Sequence, residues 1–192
     1  MNLLPYEGEV FYKNNFFDSN EASFYFEELE RCIEWKNDET TIFGKTFLTK
    51  RKVAWYGEEA FEYKYSNHSK VAILWNEVLS RILERVQDFT AEPYNSCLLN
   101  LYHTGEEGMG WHSDNEKVLK PGASIASVSL GAERRFIFKH RKSGEKVEVL
   151  LENGSLLEMK GETQMHWVHR LPPMKAVLTP RINLTFRNYL RC

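Results

Sequence analysis

The sequence predicts a mostly β protein with helices (α+β), in which two N-terminal helices pack on the outer face of a C-terminal all-β body. Three observations carry this. From about Asn95 onward, short runs rich in β-branched and aromatic residues alternate with turn signals at Thr104–Gly110, Lys120–Gly122, Lys142–Gly144 and Asn153-Gly154. Many short strands at near-regular spacing suggest a sandwich, jelly roll or barrel. Two earlier stretches follow the helical period instead. The length of 192 residues fits one domain, and no repeat, linker or low-complexity tract divides it.

The first helix is expected from roughly Asn20 to Trp35. Asp18, followed three residues later by Glu21, fits a capping box, and Ala22, Phe26, Leu29 and Ile33 share one face. The second is expected from roughly Lys70 to Val86, capped by Ser69, with Val71, Leu74, Trp75, Val78, Leu79, Ile82, Leu83 and Val86 in helical period. Both stripes are packing surfaces for the β body. The strands are Ser96–Tyr102, Ile125–Leu130, Arg135–Lys139, Lys146–Leu151, Ser155–Met159 and Ile182–Tyr189.

Composition narrows the class. Hydrophobic residues make up 42% and charged residues 27%, near a globular average. The longest purely apolar stretch is Val71–Trp75, too short to span a bilayer, so no membrane partner is expected. Cys32, Cys97 and Cys192 show no paired spacing, which argues against a disulfide framework or a cysteine zinc site. The segment Met1-Asn-Leu-Leu-Pro-Tyr-Glu lacks the basic start and apolar core of a signal peptide. A cytoplasmic protein is expected, or a nuclear one in a eukaryote, and a monomer. The net charge of −2 speaks against nucleic acid on its face. The charge is uneven, however: residues 1–92 carry 11 basic and 17 acidic side chains, residues 93–192 carry 14 and 10.

Three segments hold candidate chemistry. In Trp111-His112-Ser113-Asp114, residues two apart on a strand point to one side, so His112 and Asp114 could share a metal. A second histidine would complete a two-histidine, one-carboxylate set, which leaves coordination positions open and marks non-haem Fe(II) oxygenases. His166 and His169 are the candidates, and spacing alone does not choose between them. In Arg181-Ile-Asn-Leu-Thr-Phe-Arg187, one strand face carries Arg181, Asn183, Thr185 and Arg187; the other carries Ile182, Leu184 and Phe186. An ordinary solvated face has no need of two arginines with only hydrogen-bonding side chains between them. Arginine pairs with carboxylate in a bidentate fork, so the pair suits the two ends of a small diacid. Asn100 and Tyr102 likewise share a face, supplying an amide and a phenol.

Taken in order, Asn100-Leu-Tyr102, His112-Ser-Asp114-Asn-Glu116, Ala126-Ser-Val-Ser-Leu-Gly131, Trp167-Val-His169-Arg-Leu-Pro172 and Pro180-Arg181-Ile-Asn183-Leu-Thr185-Phe-Arg187 resemble the AlkB family of Fe(II)- and 2-oxoglutarate-dependent dioxygenases, in its nucleic-acid demethylase branch. The similarity extends upstream through Phe43-Gly44-Lys45, Arg51-Lys52, Tyr56-Gly57 and Tyr63-Lys-Tyr65, covering roughly residues 42–188. The resemblance implies a double-stranded β-helix, or jelly roll, in one domain: residues 1–93 for the helices and a nucleotide-recognition lid, 94–192 for the catalytic core. It implies Fe(II), 2-oxoglutarate and O₂ as cofactors. It selects His169 as the partner of His112 and Asp114 in holding iron, leaving His166 a supporting role. Arg181 would meet the far carboxylate of 2-oxoglutarate and Arg187 the one near the metal. Asn100, Tyr102, Asn183 and Thr185 would complete that pocket. The implied activity is oxidative demethylation of N-alkylated bases such as N1-methyladenine and N3-methylcytosine, releasing formaldehyde, succinate and CO₂.

The implied partner is alkylated DNA, single- or double-stranded, or RNA. A base must be flipped or unpaired to be reached. By the same resemblance Tyr65 would stack on it opposite His112, with Tyr63 and Arg51 in the lid and Glu116 at the base edge. Phe43 would be an apolar wedge. The branch often carries Asp where this chain has Asn115; an amide donates as well as accepts, which alters the edge presented to a base. Two basic clusters, Lys45, Lys50, Arg51 and Lys52, then Arg134, Arg135, Lys139, Arg141, Lys142 and Lys146, suit phosphate contacts flanking the pocket. A hydroxylase of a protein or small molecule using the same cofactors is the alternative.

Overall fold

A computed structural model describes residues 1–42, 45–65, 68–115, 118–120 and 122–190. In chain order the elements are β1 (Glu9–Lys13), α1 (Ser19–Cys32), β2 (Lys36–Ile42), β3 (Lys45–Gly57), β4 (Glu62–Tyr65), β5 (His68–Val71), β6 (Ile73–Leu74), α2 (Glu77–Thr90), β7 (Ser96–Tyr102), β8 (Met109–His112), β9 (Ile125–Gly131), β10 (Arg134–His140), β11 (Lys146–Leu151), β12 (Ser155–Lys160), α3 (Thr163–His166), β13 (Trp167–Leu171) and β14 (Arg181–Arg187). The protein is mostly β, and its two main sheets face each other as a jelly roll. The larger sheet runs β1-β12-β9-β14-β7-β3-β2, with β6 alongside β3; the smaller runs β11-β10-β13-β8. A separate hairpin joins β4 to β5.

Strand alternation divides the larger sheet's residues between two cores. Cys97, Leu99, Leu101, Ile182, Leu184 and Phe186 face the helices, where Leu29 of α1 and Leu79, Ile82 and Val86 of α2 close over them. The second core lies between the sheets and includes Val10, Tyr102, Phe138, Leu157 and Trp167. Polar residues of β7 and β14 alternate with the helix-facing set and so enter the space between the sheets.

The first helix matches its expected start. Asp18 accepts from the backbone N–H groups of Asn20 and Glu21, and the Glu21 side chain accepts from the Asp18 N–H, a complete capping box. The second helix does not start at Lys70. It begins at Glu77 behind the cap Asn76, whose side chain accepts from the Leu79 N–H at 2.9 Å. The preceding apolar run is extended. Ile73 and Leu74 pair in parallel with Tyr56 and Gly57, and Val71 and Leu74 are exposed. Tertiary pairing with β3 overrides the helical period there, and a capping side chain marks the true start.

The expected division at residue 93 does not separate strands from helices. β1 pairs with β12 and β3 with β7, so the first half contributes strands to the larger sheet. These strands carry charged and aromatic residues on mixed faces, without the clean alternation that marks the later ones.

Candidate functional site

Three elements bring the candidate metal ligands together. His112 ends β8 and lies in register with His169 of β13, their ring centroids 4.4 Å apart and edge to face. Asp114 lies past the end of β8, so strand alternation does not aim it. Arg187 and Gln164 do. Arg187 donates to Asp114 Oδ1 at 2.7 Å, and the Asp114 N–H donates to Gln164 Oε1 at 2.9 Å. Asp114 Oδ2 stands 3.9 Å from His169 Nε2. The donor atoms of His112, Asp114 and His169 lie within 4.8 Å of one another. His112 Nδ1 lies 2.8 Å from the Gly110 carbonyl oxygen; with the proton on Nδ1 donated there, Nε2 is free for a metal.

The site's protonation suits a divalent cation. Burial alone would push the Asp114 carboxyl up, but the Arg187 guanidinium bonded to it outweighs this and holds it below the usual carboxylate value. Burial pushes His169 down to about 3, against the opposing pull of Asp114. An ionised carboxylate and neutral imidazoles are the states in which these groups ligate.

Behind the triad lies the polar face of β14. Arg181, Asn183, Thr185 and Arg187 are all buried, which excludes a solvated face. With Asn100, Tyr102, His112, Asp114 and His169 they line one pocket between the sheets. A larger cavity between α2 and the C-terminal segment contains none of them. Arg181 is 2% exposed and donates from Nη2 to Ser129 Oγ at 2.9 Å. Its Nε meets no hydrogen-bond partner, and among the described residues no carboxylate pairs with it. Burial pushes its pKa down to about 10. Asn100 Oδ1 is also buried without a hydrogen-bond partner. A buried, uncompensated guanidinium is costly. The pocket therefore has a cationic end that fits a carboxylate and a donor set that fits Fe(II).

Several contributors had no assigned role in the sequence. Ser127 accepts from Asn183 Nδ2 at 2.8 Å, and Ser129 accepts from Arg181. Both sit at alternate positions of Ala126-Ser-Val-Ser, a polar stripe in an apolar strand that could have marked them. The Phe136 ring lies 5.2 Å from that of His169. Gln164, from the short α3, follows no motif.

Phe43 and Glu116 lie outside the described residues, as do the side chains of Tyr63 and Tyr65 on β4. Asn115 is exposed beside Asp114. The Arg51 guanidinium lies beside Met109 and 6.0 Å from the Tyr102 ring, next to the pocket. The two basic clusters need correction. Arg51 pairs with Asp38, and Arg134 is 0% exposed, spending Nη2 on the carbonyls of Glu107 and Pro172. Neither is a free surface cation, because a buried guanidinium must use its donors on protein. On the outer face of the smaller sheet, Lys139 and Arg170 instead flank exposed Trp111, at 5.4 and 4.6 Å from its ring.

A jelly roll enclosing a His/Asp/His donor set and a buried cationic row has the architecture of an iron-dependent oxygenase. Residues 9–187 match a family model described as the 2OG-Fe(II) oxygenase superfamily. The chain is 40% identical over 185 residues to mouse "DNA oxidative demethylase ALKBH2", spanning 91% of this chain and 77% of that protein. It is 35% identical to the bovine "Alpha-ketoglutarate-dependent dioxygenase alkB homolog 3", spanning 90% and 63%. The solved structure of OsALKBH1 superposes with a TM-score of 0.67 over 93% of this chain and 97% of that one; at 17% identity it shows the fold alone. The chain belongs to the 2OG-Fe(II) oxygenase superfamily and, within it, to the AlkB family. No helix among the described residues is long and apolar enough to cross a membrane.

Proposed function

We propose that the chain is an Fe(II)- and 2-oxoglutarate-dependent dioxygenase that demethylates N-alkylated bases in DNA. The observation that carries the site reading is the convergence of His112, Asp114 and His169 on a pocket floored by buried Arg181. The relatives named as DNA demethylases carry the reaction class, and nothing favours a protein or small molecule as the target. Iron and 2-oxoglutarate, when bound, supply the oxidant that hydroxylates an N-methyl group, which then leaves as formaldehyde with the base restored.

The chain's own residues do the positioning. His112, Asp114 and His169 hold iron. Arg181 pairs with the far carboxylate of 2-oxoglutarate, oriented by Ser129 and assisted by Asn100 and Tyr102. Arg187 serves the metal end, where it already fixes Asp114. Asn183 and Thr185 fill the wall between, linked by a 3.1 Å hydrogen bond from Thr185 Oγ1 to Asn183 Oδ1. Phe136, Leu151 and Met159 add apolar wall, which keeps water from the reacting centre. Arg51, Tyr63, Tyr65, Asn115, Glu116 and Phe43 are the residues assigned to reading the base.

The test is a panel of oligonucleotides bearing N1-methyladenine or N3-methylcytosine, single- and double-stranded, as DNA and as RNA. With Fe(II), 2-oxoglutarate and O₂, formaldehyde release from the methylated DNA members is expected. Tight 2-oxoglutarate binding with no turnover on any member overturns the proposal.

A further inference from the structure

His166, left without a metal role by the triad, belongs to a second group of donors. Glu7, His140 and His166 place one ligand atom each within 4.8 Å of one another, in a cluster that shares no residue with the iron site. Glu7 Oε2 lies 2.7 Å from His140 Nε2 and 3.7 Å from His166 Nδ1. Three separate parts of the chain supply them: the N-terminal segment, the end of β10 and the end of α3. Two imidazoles and a carboxylate are a known protein donor set for Zn²⁺, with a fourth position left to water.

The three donors lie near enough for one cation to reach them all after small shifts. Zinc bonds of about 2.0–2.1 Å in a tetrahedron put neighbouring donors roughly 3.4 Å apart. One of the two observed separations is shorter than this and the other slightly longer. Glu7 is exposed, so its carboxylate can make both adjustments.

The outer partners strengthen the case. Ligating histidines nearly always have their second ring nitrogen held by another group. His140 Nδ1 lies 2.9 Å from Ser143 Oγ, and His166 Nε2 lies 3.5 Å from Glu162 Oε2. Both near nitrogens are turned toward Glu7; the far nitrogen of His140 is held by Ser143, and that of His166 faces the Glu162 carboxylate. In the metal-free cluster the Ser143 N–H donates to His140 Nδ1 at 3.1 Å, so Nε2 carries the proton shared with Glu7; a cation would take that proton's place, with Ser143 Oγ then accepting from Nδ1–H. Glu7 itself has φ of 47°, a left-handed conformation that side-chain-bearing residues seldom adopt.

We propose that Glu7, His140 and His166 form a second divalent metal site, taking zinc or a similar borderline cation, that fastens the N-terminal segment to the end of β10 and to α3. The connection to the iron site is short. The Arg141 N–H donates to the His166 carbonyl at 2.8 Å, and Arg141 Nη2 donates to Ser113 Oγ at 2.7 Å. Gln164, on the same short helix as His166, accepts from the Asp114 N–H. A cation there would brace α3 and, through it, the Asp114 backbone.

The probe is Co²⁺, whose visible absorption reports tetrahedral ligation, titrated anaerobically into the metal-free 192-residue chain. Wild type is expected to take up two equivalents. His112→Ala should retain only the equivalent with a tetrahedral spectrum. Glu7→Gln and His166→Asn should each lose that spectrum, keep the other equivalent and keep folded circular dichroism. Zn²⁺ should displace the tetrahedral cobalt. Saturation of wild type at one equivalent overturns the proposal. So does a tetrahedral spectrum that survives both Glu7→Gln and His166→Asn. Neither readout depends on turnover, so a failure here is separable from a failure of the demethylase reading.

Discussion

Arg181→Met separates a binding residue from a structural one by the sign of two effects. The guanidinium is 2% exposed, and burial pushes its pKa down to about 10. By that fall the protein disfavours the charge by roughly 3 kcal/mol. Above about pH 10 the folded chain gives up this proton before the unfolded one, so the cost is fully present at neutral pH and is relieved only as pH rises past that value. Methionine removes the charge with similar bulk. It also gives up one hydrogen bond to Ser129 and the stacking of Arg181 on Tyr102 at 5.5 Å, together about 1–2 kcal/mol. The cofactor-free variant should therefore be as stable as wild type or more stable by about 1–2 kcal/mol, a Tm rise of a few degrees for a chain this long. The loss falls on 2-oxoglutarate. A charge-assisted pair to a carboxylate is worth about 1.5–3 kcal/mol, so affinity should drop roughly 10- to 100-fold. Differential scanning calorimetry and isothermal titration of 2-oxoglutarate read the two halves. A Tm several degrees lower with unchanged 2-oxoglutarate affinity refutes the reasoning, because it makes Arg181 a structural residue.

Removing the Arg187 partner should have the opposite character. Arg187→Gln leaves Asp114 buried, costing about 3–5 kcal/mol in urea unfolding at neutral pH. Because the Asp114 carboxyl is held below its usual value in wild type, its contribution is present above the unfolded pKa near 4 and lost as pH falls through the lower folded value. Wild type should accordingly lose urea resistance below about pH 4, and the variant should lose less over that range. His169→Ala should abolish iron-dependent turnover, whereas His166→Ala should keep most of it; a reversed pair of kcat values removes His169 from the ligand set. Cys97 is 0% exposed and its thiol is pushed up by burial, so a thiol reagent should modify Cys32 in the native protein and reach Cys97 only on unfolding, as mass spectrometry of the labelled peptides would show.

Legibility in the sequence followed how local the cause was. β14 was readable because each of its faces has one chemical character, and alternation alone assigns Arg181 to the pocket and Ile182 to the helix-side core. The α1 cap was readable because Asp18 and Glu21 satisfy each other across three residues. The start of α2 was not. Val71 to Trp75 satisfies a helical period, and only pairing of Ile73 with Tyr56, 17 residues earlier, makes it extended. Strands β1 to β3 escaped notice for the same reason. Their partners are distant in sequence, so no short window shows which face is buried.

The candidate site shows the same limit in a more instructive form. His112 and Asp114 were grouped on the premise of a continuous strand, yet β8 stops at His112. The two converge because Arg187, 73 residues away in sequence, and Gln164, 50 away, hold Asp114 in place. Arg134 was counted as a surface cation from its neighbours' charge. It is instead buried 5.8 Å from the Tyr102 ring, tying together the carbonyls of Glu107 and Pro172. Those carbonyls flank the start of β8 and the end of β13, the two strands that carry His112 and His169. Charge counting along the chain therefore overestimated the free surface cations and missed a brace of the candidate metal site. Both errors have one physical origin. A guanidinium's role depends on how many of its donors the fold consumes, and that number is set by carbonyls the sequence does not place.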